Sequence, residues 1–167
     1  MIARAFLLVA CAALLAGCYT LGDARPRTMA GINTLSVPVS RNDTLEPNVE
    51  ALLADTIVKQ IQTDGTYSIA LGDEADATVN TTLTSVSRLP ARSVRGNVLA
   101  TSEFLLFTTV RFEVIEDVGG RTLMNGQVTG QTSFFVTGDL QTDEAQALPL
   151  AFSDAAVKLT SRLSEGF

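Results

Sequence analysis

Three sets of side chains in the 167 residues carry groups able to do chemistry. They are the thiols of Cys11 and Cys18, the carboxylates of Asp73, Glu74 and Asp76, and the guanidinium groups of Arg88, Arg92 and Arg95. Clustered carboxylates can bind calcium or exchange protons with a substrate. Gly72 to Asp76, however, lies between two short strand signals and opens no twelve-residue calcium loop, so it reads as a solvated turn. Glu116-Asp117, ahead of a Gly-Gly pair, has the same reading. Arginine forks match phosphate and carboxylate geometry, which makes the single basic segment a candidate phosphate contact; an ordinary solvated loop is the alternative. The chain holds no histidine, so histidine triads and imidazole metal sites are excluded. Neither a G-x-S-x-G elbow, a phosphate-binding glycine loop nor a dinucleotide fingerprint is present. With 12 basic and 18 acidic residues the net charge is -6, the wrong balance for a general nucleic-acid binder. The composition points away from an enzyme, and no metal or cofactor is expected.

The cysteines carry a different chemistry. Arg4 supplies a positive start, and Ala5 to Ala16 form an unbroken apolar run, too short for a spanning helix of about 20 residues. That run ends in Leu15-Ala16-Gly17-Cys18, which resembles the bacterial lipobox, where the thiol is acylated and the signal removed ahead of it. Residues 1–17 are thus expected to be a signal peptide and Cys18 a lipid anchor; the alternative is a plain signal peptide with a chance cysteine. Cys11 lies within the apolar run and would leave with it. Each buried acyl methylene adds about 0.8 kcal/mol of membrane affinity, so two or three chains hold a protein stably. Tyr19 follows the cysteine where an inner-membrane retention aspartate would stand, which suggests the periplasmic face of an outer membrane.

These groups need a scaffold to position them. Tyr19 to Ala30 shows no periodicity and reads as a tether, giving a domain from 31 to 167. Ile32 to Val39 is β-like, with Pro38 favouring an edge, and Arg41 to Pro47 is a polar turn. Thr44 could cap a helix that has Pro47 in its first turn. From Asn48 to Asp64, Val49, Leu52, Leu53, Thr56, Ile57 and Ile61 recur at helical spacing, and Gly65 suits a left-handed end. Tyr67 to Leu71 is a short strand signal. Ala77, Val79, Thr81 and Leu83 alternate with polar residues until Val86 marks a bulge or an end.

Arg88 to Gly96 reads as a loop, followed by a strand from Glu103 to Glu116 and a turn at Gly119-Gly120. The last strand, Arg121 to Val136, places Met124, Val128 and Phe134 on one face with Gly126 and Gly130, whose missing side chains leave room for a packed helix or another close neighbour. Its other face, Gln127 to Ser133, is uncharged and suited to a polar wall such as the inside of a β-barrel, or to water. Thr142 could cap a final helix through Leu148, Phe152, Ala155, Leu159 and Leu163, with Pro149 kinking it or marking its start. The expected architecture is α+β, a two-layer sandwich of about four mainly antiparallel strands with two helices on one face.

The order of these pieces resembles the LPS-assembly lipoproteins of the LptE type. The likeness starts at Cys18-Tyr19 and runs through Ile32 to Pro38, Asn42 to Pro47, Asp64 to Tyr67 and Ala75 to Ala77, then a long hairpin and an alanine-rich helix. It implies a two-helix, four-stranded sandwich that works with an outer-membrane β-barrel (LptD-like) delivering lipopolysaccharide, some members also touching lipopolysaccharide. Thr20 departs from the glycine-tyrosine start common after the cysteine. On this reading the partners are the barrel, lipopolysaccharide and the membrane through acylated Cys18. Arg88, Arg92 and Arg95 are candidates to meet lipid phosphates, and replacing all three is expected to spare the fold. A pilot or scaffold lipoprotein of another envelope complex is the alternative.

Overall fold

The computed structural model describes residues 25–94 and 97–166, so Cys11, Cys18 and Arg95 lie outside the described residues. In chain order the elements are β1 (Thr34–Ser36), β2 (Arg41–Asn42), α1 (Glu50–Asp64), β3 (Ser68–Ile69), β4 (Ala77–Val94), β5 (Asn97–Glu116), β6 (Thr122–Phe135) and α2 (Leu140–Glu165). Short 3-10 turns occupy Arg27–Met29 and Gly72–Glu74. β4, β5 and β6 form an antiparallel meander, while β1, β2 and β3 add parallel pairs beside β4. The sheet order is β3-β1-β4-β5-β6, with β2 also on β4. The α+β sandwich is as expected, but the sheet is mixed and has six strands among the described residues, because β1 and β2 pair with β4 and β3 adds onto β1. Pro38 follows β1 and does not mark an edge, since β1 lies between β3 and β4.

Both helices pack on one face. α1 buries Leu53, Ala54, Ile57 and Ile61, and Gly65 closes it with φ 77°. Its start differs from expectation: Thr44 does not cap it, and the helix begins after Asn48, which takes φ 58°. Thr44 instead accepts the Glu46 N–H within the preceding turn, and Asn42 Nδ2 reaches Glu50 Oε1 at 3.1 Å. α2 is capped by Asp139, whose carboxylate accepts the Thr142 amide and hydroxyl, so Thr142 belongs to the first turn. Pro149 sits inside α2, nine residues past its start. A proline there removes the bond to the carbonyl of Ala145. Both residues are exposed, so water can take that carbonyl.

β4 runs on through the predicted loop. A register shift between Leu83 and Ser85 inserts one residue, so the helix-facing set changes from Val79, Thr81 and Leu83 to Val86, Arg88 and Pro90. The pleat then matches the inward residues of β5, Phe104, Leu106, Thr108, Val110, Phe112 and Val114. Phe104 stacks on Phe134 across β5 and β6, with ring centroids 5.8 Å apart. Met29, within the segment that reads as a tether, is fully buried in the core.

Gly130 lies where α2 crosses β6. A Cβ added to it would stand 2.0 Å from the Ala151 carbonyl oxygen and 2.7 Å from the Ala155 nitrogen. The missing side chain therefore admits the helix backbone itself, and Ala147, Ala151 and Ala155 line the approaching side of α2. Opposite Gly130 on β5 is Thr108, fully buried, with a hydroxyl that has no hydrogen-bond partner among the described residues. Thr108→Val keeps the shape and removes that stranded hydroxyl, and is expected to stabilise the fold by about 1 kcal/mol in urea denaturation. An unchanged midpoint would show that the hydroxyl finds a partner.

Candidate functional site

The face of the sheet turned away from the helices is covered by no other element among the described residues. Its side chains come in cross-strand rows set by the register. One row is Arg41, Thr82, Arg111 and Gln127; the next is Asn80, Glu113 and Asn125. Toward the far end of the β4–β5 hairpin follow Thr109 with Thr129, Phe107 with Gln131, and Leu105 with Leu89 and Ser133. The face thus grades from charged and amide-rich to apolar, where Leu89 and Phe135 are each 56% exposed. At the charged end a cleft of about 510 Å³ lies between this face and Pro38-Val39. Arg111 is 3.8 Å from Asp43 there, and Glu113 accepts the Thr122 hydroxyl at 2.9 Å. No group of three His, Cys, Asp or Glu side chains gathers to hold a metal ion among the described residues. Such a surface can bind, through hydrogen bonds at one end and burial of Leu and Phe at the other.

The arginines do not form one patch. Arg88 lies opposite Leu106 on the helix side, where its guanidinium pairs with Glu144 of α2. The register shifts again between Pro90 and Arg92, which turns Arg92 to the open face opposite Glu103. Its Nε is 3.5 Å from the Glu103 carboxylate, and its side chain is 71% exposed. The segment holding Arg88 and Arg92 is therefore strand and not loop. Glu144 is the partner that the sequence does not announce; its one signal is a position four residues before Leu148 and eight before Phe152, on the buried stripe of α2.

The acidic turn has a structural use. Asp76 accepts the backbone N–H groups of Asn33 and Thr34 at 2.8 and 2.9 Å, pinning β1 to the start of β4. Those bonds hold its carboxyl below the usual aspartate range. The Thr142 hydroxyl and amide do the same to Asp139. A depressed folded pKa stabilises the fold above the unfolded value and is lost as pH falls through the folded one. Stability should hold from neutral pH to about pH 4 and then decline. In Asp76→Asn that acid decline should be shallower, checked by urea denaturation between pH 3 and pH 7; an unchanged slope would count against the pinning.

The chain joins the domain at the opposite end from the hairpin tip. Arg25 donates to the carbonyls of Ile32 and Thr66, and its guanidinium lies 5.2 Å from the centroid of the Tyr67 ring. The Tyr67 hydroxyl in turn donates to the Leu163 carbonyl at 2.7 Å. N-terminal segment, β3 approach and last turn of α2 are tied at one point.

Solved structures share this fold at low identity. A minor lipoprotein from Acinetobacter baumannii superposes with TM-score 0.52 at 16% identity, covering 81% of this chain and 94% of its own. Protein XCC0632 from Xanthomonas campestris gives 0.52 at 12%, covering 88% and 93%. A PelC dodecamer subunit from Paraburkholderia phytofirmans gives 0.51 at 16%, covering 87% and 96%. No curated protein matches the sequence. Residues 32–163, which hold all six strands, α1 and most of α2, match LptE, the lipopolysaccharide-assembly family, and the chain belongs to it.

Proposed function

We propose that this chain is a non-enzymatic, lipid-anchored protein of the outer membrane that binds a β-barrel translocon from the periplasmic side and supports lipopolysaccharide transport. The family match across the whole sandwich carries this reading. Acylated Cys18 would hold the domain at the membrane, seven residues ahead of the clamp at Arg25. The uncovered sheet face, amide- and hydroxyl-rich with an apolar end, is the surface for the barrel wall. Arg92 on that face and Arg95 are the proposed contacts for lipid phosphates; Arg88, paired with Glu144 on the helix side, would serve only by leaving that pair. The test is purification of the lipidated protein from native membranes in mild detergent. A stoichiometric large barrel with bound lipopolysaccharide supports the reading. A different envelope partner overturns it in favour of a scaffold role.

A further inference from the structure

β6 is a free edge of the sheet, fourteen residues long, and unpaired edges invite another strand. α2 closes part of it. Lys158 Nζ donates to the Thr129 carbonyl at 2.8 Å, and Asp154 accepts the Gln131 N–H at 2.8 Å. These bonds show that Thr129 and Gln131 turn their backbone groups away from β5. Register is unbroken from Gln131 back to Asn125, so by the two-residue repeat Gln127 and Asn125 turn theirs outward as well. Neither has a bond from α2. Beyond them the 3-10 turn at Arg27–Met29 lies against the start of β6. A window of two outward residues remains, with up to four ladder bonds on offer.

The window borders a cavity of about 480 Å³ between β6 and α2, lined by Gln127 to Thr129 and by Val157, Ser161 and Arg162. Arg162 is half-buried, and its guanidinium makes no hydrogen bond or ion pair among the described residues. Gly126 makes space for it: a Cβ there would stand 3.4 Å from an Arg162 terminal nitrogen. An unpaired guanidinium beside an open strand edge is a local match for a carboxylate, which its fork can hold by charge-assisted hydrogen bonds. We propose that β6 at Asn125 and Gln127 takes up an extended, acidic segment of a partner protein by strand addition, with a carboxylate of that segment on Arg162. Lys158 and Asp154 set the end of the window by occupying the next edge positions.

The test is fluorescence anisotropy of the full chain, in mild detergent, with a labelled octapeptide of alternating threonine and glutamate. Binding is expected, weakened at least tenfold by Arg162→Glu and by N-methylation of the peptide backbone. Arg162→Gln, which leaves no charge to repel, should weaken it to a lesser degree, and circular dichroism confirms that both variants fold. Equal binding of a threonine-lysine peptide would remove the role of Arg162. Equal binding of the N-methylated peptide, or full competition by millimolar inorganic phosphate, would reduce the site to an anion pocket and overturn strand addition. Peptide binding lost to a concentration-dependent dimer would assign the edge to a second copy of this chain instead.

Discussion

Gly130→Ala is expected to destabilise the fold by about 3 kcal/mol, the upper end of overpacking effects. One methyl group would do this because the new Cβ meets backbone: the Ala151 oxygen at 2.0 Å and the Ala155 nitrogen at 2.7 Å. A flexible side chain could turn aside, whereas α2 must lift from the sheet along its length. Gly130 has no positive φ, so alanine suffers no backbone strain and gains about 0.5–1 kcal/mol of strand preference over glycine. A net loss must then come from the contact. Gly126→Ala is the control four residues away. There the neighbours are the Phe112 ring at 3.0 Å and the end of Arg162, and a loss of about 1 kcal/mol is expected because side chains can shift. Urea denaturation of both variants settles the contrast, and equal losses would refute the close approach of α2.

Arg88→Ala should cost about 2 kcal/mol, below the 3–5 of a fully buried pair because the arginine is 44% exposed. Its partner is the deeper member, since the Glu144 side chain is only 9% exposed and would keep its charge without a counterion. Combining Arg88→Ala with Glu144→Leu removes both charges and should recover most of the loss, giving a coupling of about 1 kcal/mol or more in a double-mutant cycle. Additive losses would mean that the pair does not act as a unit. This changes the expectation for the three arginines. Replacing Arg88, Arg92 and Arg95 together is then expected to destabilise the fold through Arg88, so Arg92→Ala alone, or the triple change on a Glu144→Leu background, isolates binding from stability.

The elements that were legible in the sequence are those whose cause is local. Leu53, Ile57 and Ile61 mark α1 by their spacing, Gly65 ends it, and Gly119-Gly120 turns β5 into β6 with φ of 101° and 66°. Gly126 and Gly130 stood out for the same reason, as gaps in an otherwise filled strand face. What escaped depends on partners far along the chain. Arg88 reads as a loop residue two positions before Pro90 until Glu144, 56 positions later, explains an inward charge. β2 is two residues long and exists only because β4 passes beside it. Val86 broke the alternation because a bulge moved the pleat by one residue, and a one-residue slip exchanges the two faces of everything after it. The open sheet face therefore could not be enumerated past Leu83 without the register.

The knot of Arg25, Tyr67 and Leu163 has a mechanical consequence. A pull on the N-terminal end of the domain meets Arg25 first, and that residue holds the carbonyls of Ile32 and Thr66 while Tyr67 holds Leu163. The load is shared at once among three stretches of chain. β1, a three-residue strand that would unzip easily under tension, is loaded only after those bonds give way together, so the joint resists as a rivet does and does not peel.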